Sequence, residues 1–131
     1  NGIYYKKFSD VPFNGEITGD TQGAFMNGKR DGTWVYLNKN GQINTKGDFK
    51  NGVEEGSWVS YHENSKLYTK GDYKNGKKEG PWVRYWNNNQ LMSKGNFKND
   101  KKEGVWVSFN QDGTLIKEWV GSYKGGKKIR N

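Results

Sequence analysis

The sequence has no cysteine and a single histidine, His62. That excludes a disulfide, a cysteine nucleophile with its histidine base, and a histidine cluster for a metal. It leaves the redox compartment open. Apolar residues are scarce at 31% of 131, too few for a thick two-layer core. No run approaches the length of a membrane span. No helical period is present, and no signal peptide is legible. Low hydrophobicity can mark disorder, yet 6 Trp, 8 Tyr and 6 Phe are residues that disordered chains avoid. The chain therefore reads as folded but thin. Its 22 Lys+Arg against 14 Asp+Glu give a net charge of +8. That favours acidic partners, or else serves as a solubilising coat on a sheet with exposed edges.

The dominant signal is repetition. KGDFKNGVEEGSWVSYH from Lys46 recurs as KGDYKNGKKEGPWVRYW from Lys70 and KGNFKNDKKEGVWVSFN from Lys94. Trp34, Trp58, Trp82 and Trp106 are 24 residues apart, as are Gly23, Gly47, Gly71 and Gly95. Numbered from that glycine, units run 23–46, 47–70, 71–94 and 95–120. A lead-in and half-repeat (1–22) precede them, and a partial unit (121–131) follows, all in one domain. Self-similarity at this period decides the architecture before any local reading does.

Each unit reads as a hairpin. WVSYH, from Trp58, is short, aromatic and β-branched, as a strand should be. Asn40-Gly41, Asn64-Ser65, Asn88-Asn89 and Asp112-Gly113 predict type I′ turns. NGKRDG, NGVEEG, NGKKEG and NDKKEG read as six-residue loops. This register puts each tryptophan opposite the glycine of its own hairpin, so that Trp82 lies on Gly95. It also puts position 21 (Ile43, Leu67, Leu91, Leu115) on the aromatic face. The fourth unit has 26 residues; two extra residues keep the strand alternation in phase, where one would turn the face over.

The pattern G-x-[FY]-K-N-G-K-K-E-G-x-W-V-x-Y-x-x-N-G-x-L resembles the MORN repeat (membrane occupation and recognition nexus). It most resembles the bacterial variant in YwqK-like proteins, often labelled putative antitoxins. The resemblance covers residues 23–129, and the opening, with Pro12-Phe13-Asn14-Gly15 as a degenerate half-unit, is similar to the lead-in of such proteins. Val53-Glu54, Asp100, and the turns at Asn64 and Asn88 depart from the pattern. The resemblance implies an all-β, elongated, single-layer antiparallel sheet of successive hairpins rolled into a trough. About ten strands at ~4.8 Å make it roughly 45–50 Å long. Together with the missing N-terminal Met, the resemblance to secreted bacterial members fits export to the periplasm or cell surface; a trimmed chain fits the missing Met as well.

Repeated residues then serve the scaffold, and function is sought where units disagree. Position 14 reads Tyr36, Ser60, Arg84, Ser108, and position 16 reads Asn38, His62, Trp86, Asn110. Tyr36, His62, Arg84 and Trp86 form the candidate partner-binding strip, because Trp, Tyr and Arg are favoured interface anchors. A solvated strip that drifts freely is the bland alternative. Lys46, Lys70 and Lys94 make one lysine row, and Lys50, Lys74 and Lys98 another. They suit anionic lipid headgroups, or their stems cover Val and Tyr while the ammonium heads stay wet. The basic loop pairs Lys29-Arg30, Lys77-Lys78 and Lys101-Lys102 are followed by Asp31, Glu79 and Glu103, which blunt the charge. Asp48 and Asp72 lie near lysines, where ion pairing is simpler than acid–base work. No nucleic-acid signature is present. The expectation is a non-enzymatic module without cofactor or metal. Its partner is a protein or peptide segment in the trough; the alternatives are an anionic membrane surface or a toxin to be neutralised.

Overall fold

A computed structural model describes residues 3–4 and 13–130. Pro12, the first residue of the expected half-unit, lies outside the described residues. Eleven strands follow in chain order: β1 (Gly15–Ile17), β2 (Thr21–Met26), β3 (Lys29–Leu37), β4 (Ile43–Lys50), β5 (Val53–Tyr61), β6 (Leu67–Lys74), β7 (Lys77–Tyr85), β8 (Leu91–Lys98), β9 (Lys101–Ser108), β10 (Gly121–Lys124) and β11 (Lys127–Arg130). They form one open antiparallel sheet in which every strand pairs only with its sequence neighbours. Among the described residues the sole helical element is a single 3-10 turn, Lys117–Trp119.

The two kinds of turn exchange roles relative to expectation. Asn51-Gly52, Asn75-Gly76 and Asn99-Asp100 have φ of +50 to +82° at both central residues, the I′ signature. They are two-residue turns closed by Lys50↔Val53, Lys74↔Lys77 and Lys98↔Lys101, not six-residue loops. At the other tips only one residue of each pair has positive φ: Gly41, Ser65, Asn89 and Gly113. Gly41 N–H donates to the Asn38 carbonyl and Asn38 N–H to the Gln42 carbonyl, which makes a three-residue loop. This loop is odd, but a one-residue bulge between Tyr36 and Leu37 compensates, so Trp34 still pairs with Gly47. The same holds for Trp58–Gly71 and Trp82–Gly95.

A second bulge decides where the rings lie. Gly56 takes φ +77°, and the register slips by two residues between Asp48↔Glu55 and Gly47↔Trp58. Gly32, Gly80 and Gly104 share that backbone, with φ from +73 to +81°. The slip frees the carbonyl at position 2. The indole N–H then donates to it: Trp34 to Ala24, Trp58 to Asp48, Trp82 to Asp72 and Trp106 to Asn96, at 2.9–3.1 Å. Each ring is thereby drawn onto the first glycine of its own unit, on the preceding strand. A Cβ on Gly47 would run into Trp58, on Gly71 into Trp82 and on Gly95 into Trp106. The expected seat of Trp82 on Gly95 is therefore corrected to Gly71.

The core is a ribbon of rings along the trough. Phe25, Trp34, Phe49, Trp58, Tyr73, Trp82, Phe97 and Trp106 meet edge to face at 4.9–6.1 Å. All four position-12 tryptophans are buried. An aromatic side chain buries roughly 150–250 Å², on the order of 4–6 kcal/mol per ring at most. The ribbon thus supplies the stability that the scarce aliphatic residues cannot.

Candidate functional site

The trough divides into a filled half and an open half. In the filled half, Phe13 and Tyr4 pack on Phe25 at 5.3 and 4.9 Å. The Arg30 guanidinium lies 5.1–5.4 Å from the ring centres of Tyr4, Trp34 and Phe49, and it donates to the Tyr4 hydroxyl at 2.9 Å. Tyr36 closes the space beside Trp34, with centroids 6.4 Å apart. Burial, first, raises the pKa of its phenol; Arg30 opposes that rise, and Tyr4 and Glu54 add to it.

The open half is a groove of about 870 Å³ between β6 and β10. Trp82, Trp106 and the rings between and beside them floor it. Lys78, Arg84 and Lys102 reach into it, and no carboxylate is among its lining side chains. The Lys78 ammonium sits 4.9 Å from Trp82 and 5.1 Å from Phe97; that of Lys102 sits 4.9 Å from Trp106 and 5.0 Å from Tyr123. Burial lowers the Lys102 pKa, and the nearby Arg84 charge lowers it further. The 3-10 turn of the longer fourth unit walls the far end. Its Trp119 lines the groove yet is 57% exposed, and Tyr123 Oη donates to the Trp119 carbonyl at 3.0 Å.

The four predicted strip residues divide between these halves. Arg84 and Trp86 line the groove. His62 flanks it through Tyr68, with ring centres 4.5 Å apart, and Arg84 donates to the Tyr68 hydroxyl at 3.0 Å. Tyr36 belongs to the filled half. Position 16 also carries a scaffold task that sequence reasoning did not assign to it. Trp86 Nε1 donates to the Phe109 carbonyl at 3.0 Å, and His62 Nε2 meets the Tyr85 carbonyl at 2.7 Å, each tying one hairpin tip to the next.

Sequence reasoning missed Lys78, Lys102, Tyr68, Met92 and Trp119. Lys78 and Lys102 were assigned to loops; the I′ turns instead put them on strands, opposite Tyr73 and Phe97. Position 22 (Tyr68, Met92) lines the groove in place of position 21, because the tip bulge shifts the alternation by one. Leu67 and Leu91 instead pair with Tyr61 and Tyr85. The legible signal was the invariant glycine at position 10, which marks a bulge inside a strand.

The opposite face carries both lysine rows. Lys46, Lys70 and Lys94 pair with the valines Val35, Val59, Val83 and Val107, and all six predicted lysines are exposed. Between the rows runs an acidic one: Asp48 opposes Glu55, and Asp72 opposes Glu79. The carboxylates of Glu55, Glu79 and Glu103 accept from Asn75, Asn99 and Gly125 N–H at 3.1–3.2 Å, so they brace the next turn.

Comparison with known families agrees with this geometry. The MORN repeat variant profile matches residues 30–51, 54–75 and 78–99, half of the chain. The chain belongs to that family of repeats, which serve in general as modules of protein or membrane interaction. No curated protein matches it.

Proposed function

We propose that this protein is a non-enzymatic interaction module that holds a segment of a partner protein in the open half of its trough. The observation that carries this reading is the groove itself. Aromatic floor, three cations, absence of lining carboxylates and an exposed Trp119 at its end make a surface suited to capture, with the apolar centre and polar rim that interfaces share. A toxin segment, the role suggested by the resemblance to antitoxin-labelled bacterial proteins, would be one instance. The test is selection of a displayed random peptide library on the pure protein. Binders are expected to lose affinity on Trp119→Ala and to keep it on Lys70→Glu. Binders indifferent to Trp119→Ala would overturn the reading.

A second reading, docking to an anionic membrane, draws on the six exposed lysines of the opposite face. It ranks lower because the row of Asp48, Glu55, Asp72 and Glu79 lies between them and cancels much of their field. Flotation with phosphatidylserine vesicles at physiological salt is the check, and Lys46, Lys70 and Lys94 changed together to Glu should abolish it.

A further inference from the structure

From the spacing of the groove's cations we infer that the segment it takes is an acidic one in the polyproline II conformation, with a carboxylate at every third residue. The inference rests on the trough reading above and specifies its occupant. Lys78 on β7 and Lys102 on β9 are equivalent residues two strands apart, a separation of about 9.4–9.8 Å along the sheet. A polyproline II helix repeats every three residues at ~3.1 Å each, about 9.3 Å, and presents the same side-chain direction at each repeat. A carboxylate at i and i+3 therefore meets Lys78 and Lys102 in turn. An extended strand repeats its side-chain direction at about 6.6–6.8 Å and falls out of step within one repeat.

Charge and chemistry agree with spacing. The groove has cations and no carboxylate to satisfy them. Each ammonium stands over two rings, so an anion arriving there finds a charge that is already partly removed from water. Burial, and after it the Arg84 charge, lowers the Lys102 pKa in this setting. Between the anions, flat proline rings suit an aromatic floor, as in other grooves that read this conformation. The filled half supplies an internal precedent. There Tyr4 and Phe13 cover Phe25 and Arg30 without lying in a helix.

The test is fluorescence anisotropy with labelled synthetic peptides on the intact chain. Four Glu-Pro-Pro repeats are expected to bind. Four Glu-Pro-Pro-Pro repeats carry the same charge at a spacing of about 12.4 Å, and they should bind about tenfold more weakly. So should a helical peptide with Glu at every seventh position. Lys102→Gln and Lys78→Gln should each weaken the triplet peptide about tenfold without moving the melting temperature by more than a few degrees, whereas Lys70→Gln should leave it within about twofold. Equal affinity for the two spacings, a preference for the helical peptide, or an equal loss from Lys70→Gln would overturn the inference. Library binders that need Trp119 but lack acidic triplets would overturn it while leaving the trough reading intact. Binders that ignore Trp119 would remove both.

Discussion

The two halves of the trough share one backbone and one ribbon of rings, yet one is full and the other open. The filled half has Tyr4, Phe13, Arg30 and Tyr36 laid over Phe25, Trp34 and Phe49. In the open half, Lys78 and Lys102 occupy the Arg30 position, but among the described residues nothing corresponding to Tyr4 covers them. At position 14, Tyr36 gives way to Arg84 and Ser108. A repeat scaffold thus holds its floor constant and sets occupancy through a few variable side chains. The rings recur in every unit, and the side chains that decide whether the trough is filled or open are the ones that change.

The largest test of that division is a methyl group at the ring seats. Gly23→Ala in the filled half and Gly95→Ala in the open half each drive a Cβ into an indole, Trp34 or Trp106. Both should cost on the order of 3–5 kcal/mol, because ring burial and the indole hydrogen bond go together. Thermal melts should show comparable losses, while only Gly95→Ala should also reduce peptide capture. A mild effect at either site would mean that the rings do not need their seats.

Next comes Trp86. Its half-buried ring and its bond to Phe109 make it both groove wall and stitch. Trp86→Ala should lower stability by about 2–3 kcal/mol, and Trp86→Phe, which keeps a ring but loses the N–H, by about 1 kcal/mol. Unfolding in urea distinguishes these from the alternative in which position 16 is a free strip and neither change registers.

Smaller still is the effect of uncovering the filled half. Tyr4→Ala should destabilise by about 1–2 kcal/mol, the scale of one aromatic pair with its cation. It should also admit a hydrophobic dye near Phe25 that the wild type excludes. Glu54→Lys is expected to leave stability within about 0.5 kcal/mol. It should tighten capture of acidic peptides, since Glu54 holds the cation position opposite Phe49.

The finest comparison is by pH. The folded pKa of Lys102 is lowered, by burial before Arg84. Between that value and the higher one of the unfolded chain, the unfolded state binds more protons, so stability rises with pH across this window. NMR titration should find the Lys102 side chain below the ordinary lysine value, and Lys102→Gln should flatten the alkaline gain. An acidic peptide in the groove should move Lys102 back up.

Much of the fold was legible because a 24-residue period admits few architectures, and Trp–Gly recurrence fixed the hairpin register. Turn assignment failed where two Asn-Gly signals competed: one became a two-residue I′ turn and the other a three-residue loop with a bulge. The face of position 21 went wrong with it, since one bulged residue inverts alternation. Of the site, Arg84 and Trp86 were readable as variable residues on an otherwise invariant surface. Lys78 and Lys102 were not, because they repeat like scaffold and gain their setting from the I′ turns before them together with the bulge at Gly80 and Gly104. Trp119 lay in an insertion, outside any periodic argument.

The seat arrangement also bears on how such a chain changes over generations. Each indole covers the first glycine of its own unit, so every unit carries both a ring and its seat. Gly121, the last seat, has no tryptophan over it; the Arg130 carbonyl and the Lys128 side chain stand where a Cβ would go. A duplicated 24-residue block inserted between existing units would bring its own ring already on its own seat. Strand pairing would not need to adjust, because every strand pairs only with its neighbours. Groove length can therefore grow or shrink in steps of about 9.5 Å, two strands at a time, and selection can match it to a longer or shorter occupant without redesigning any unit already present.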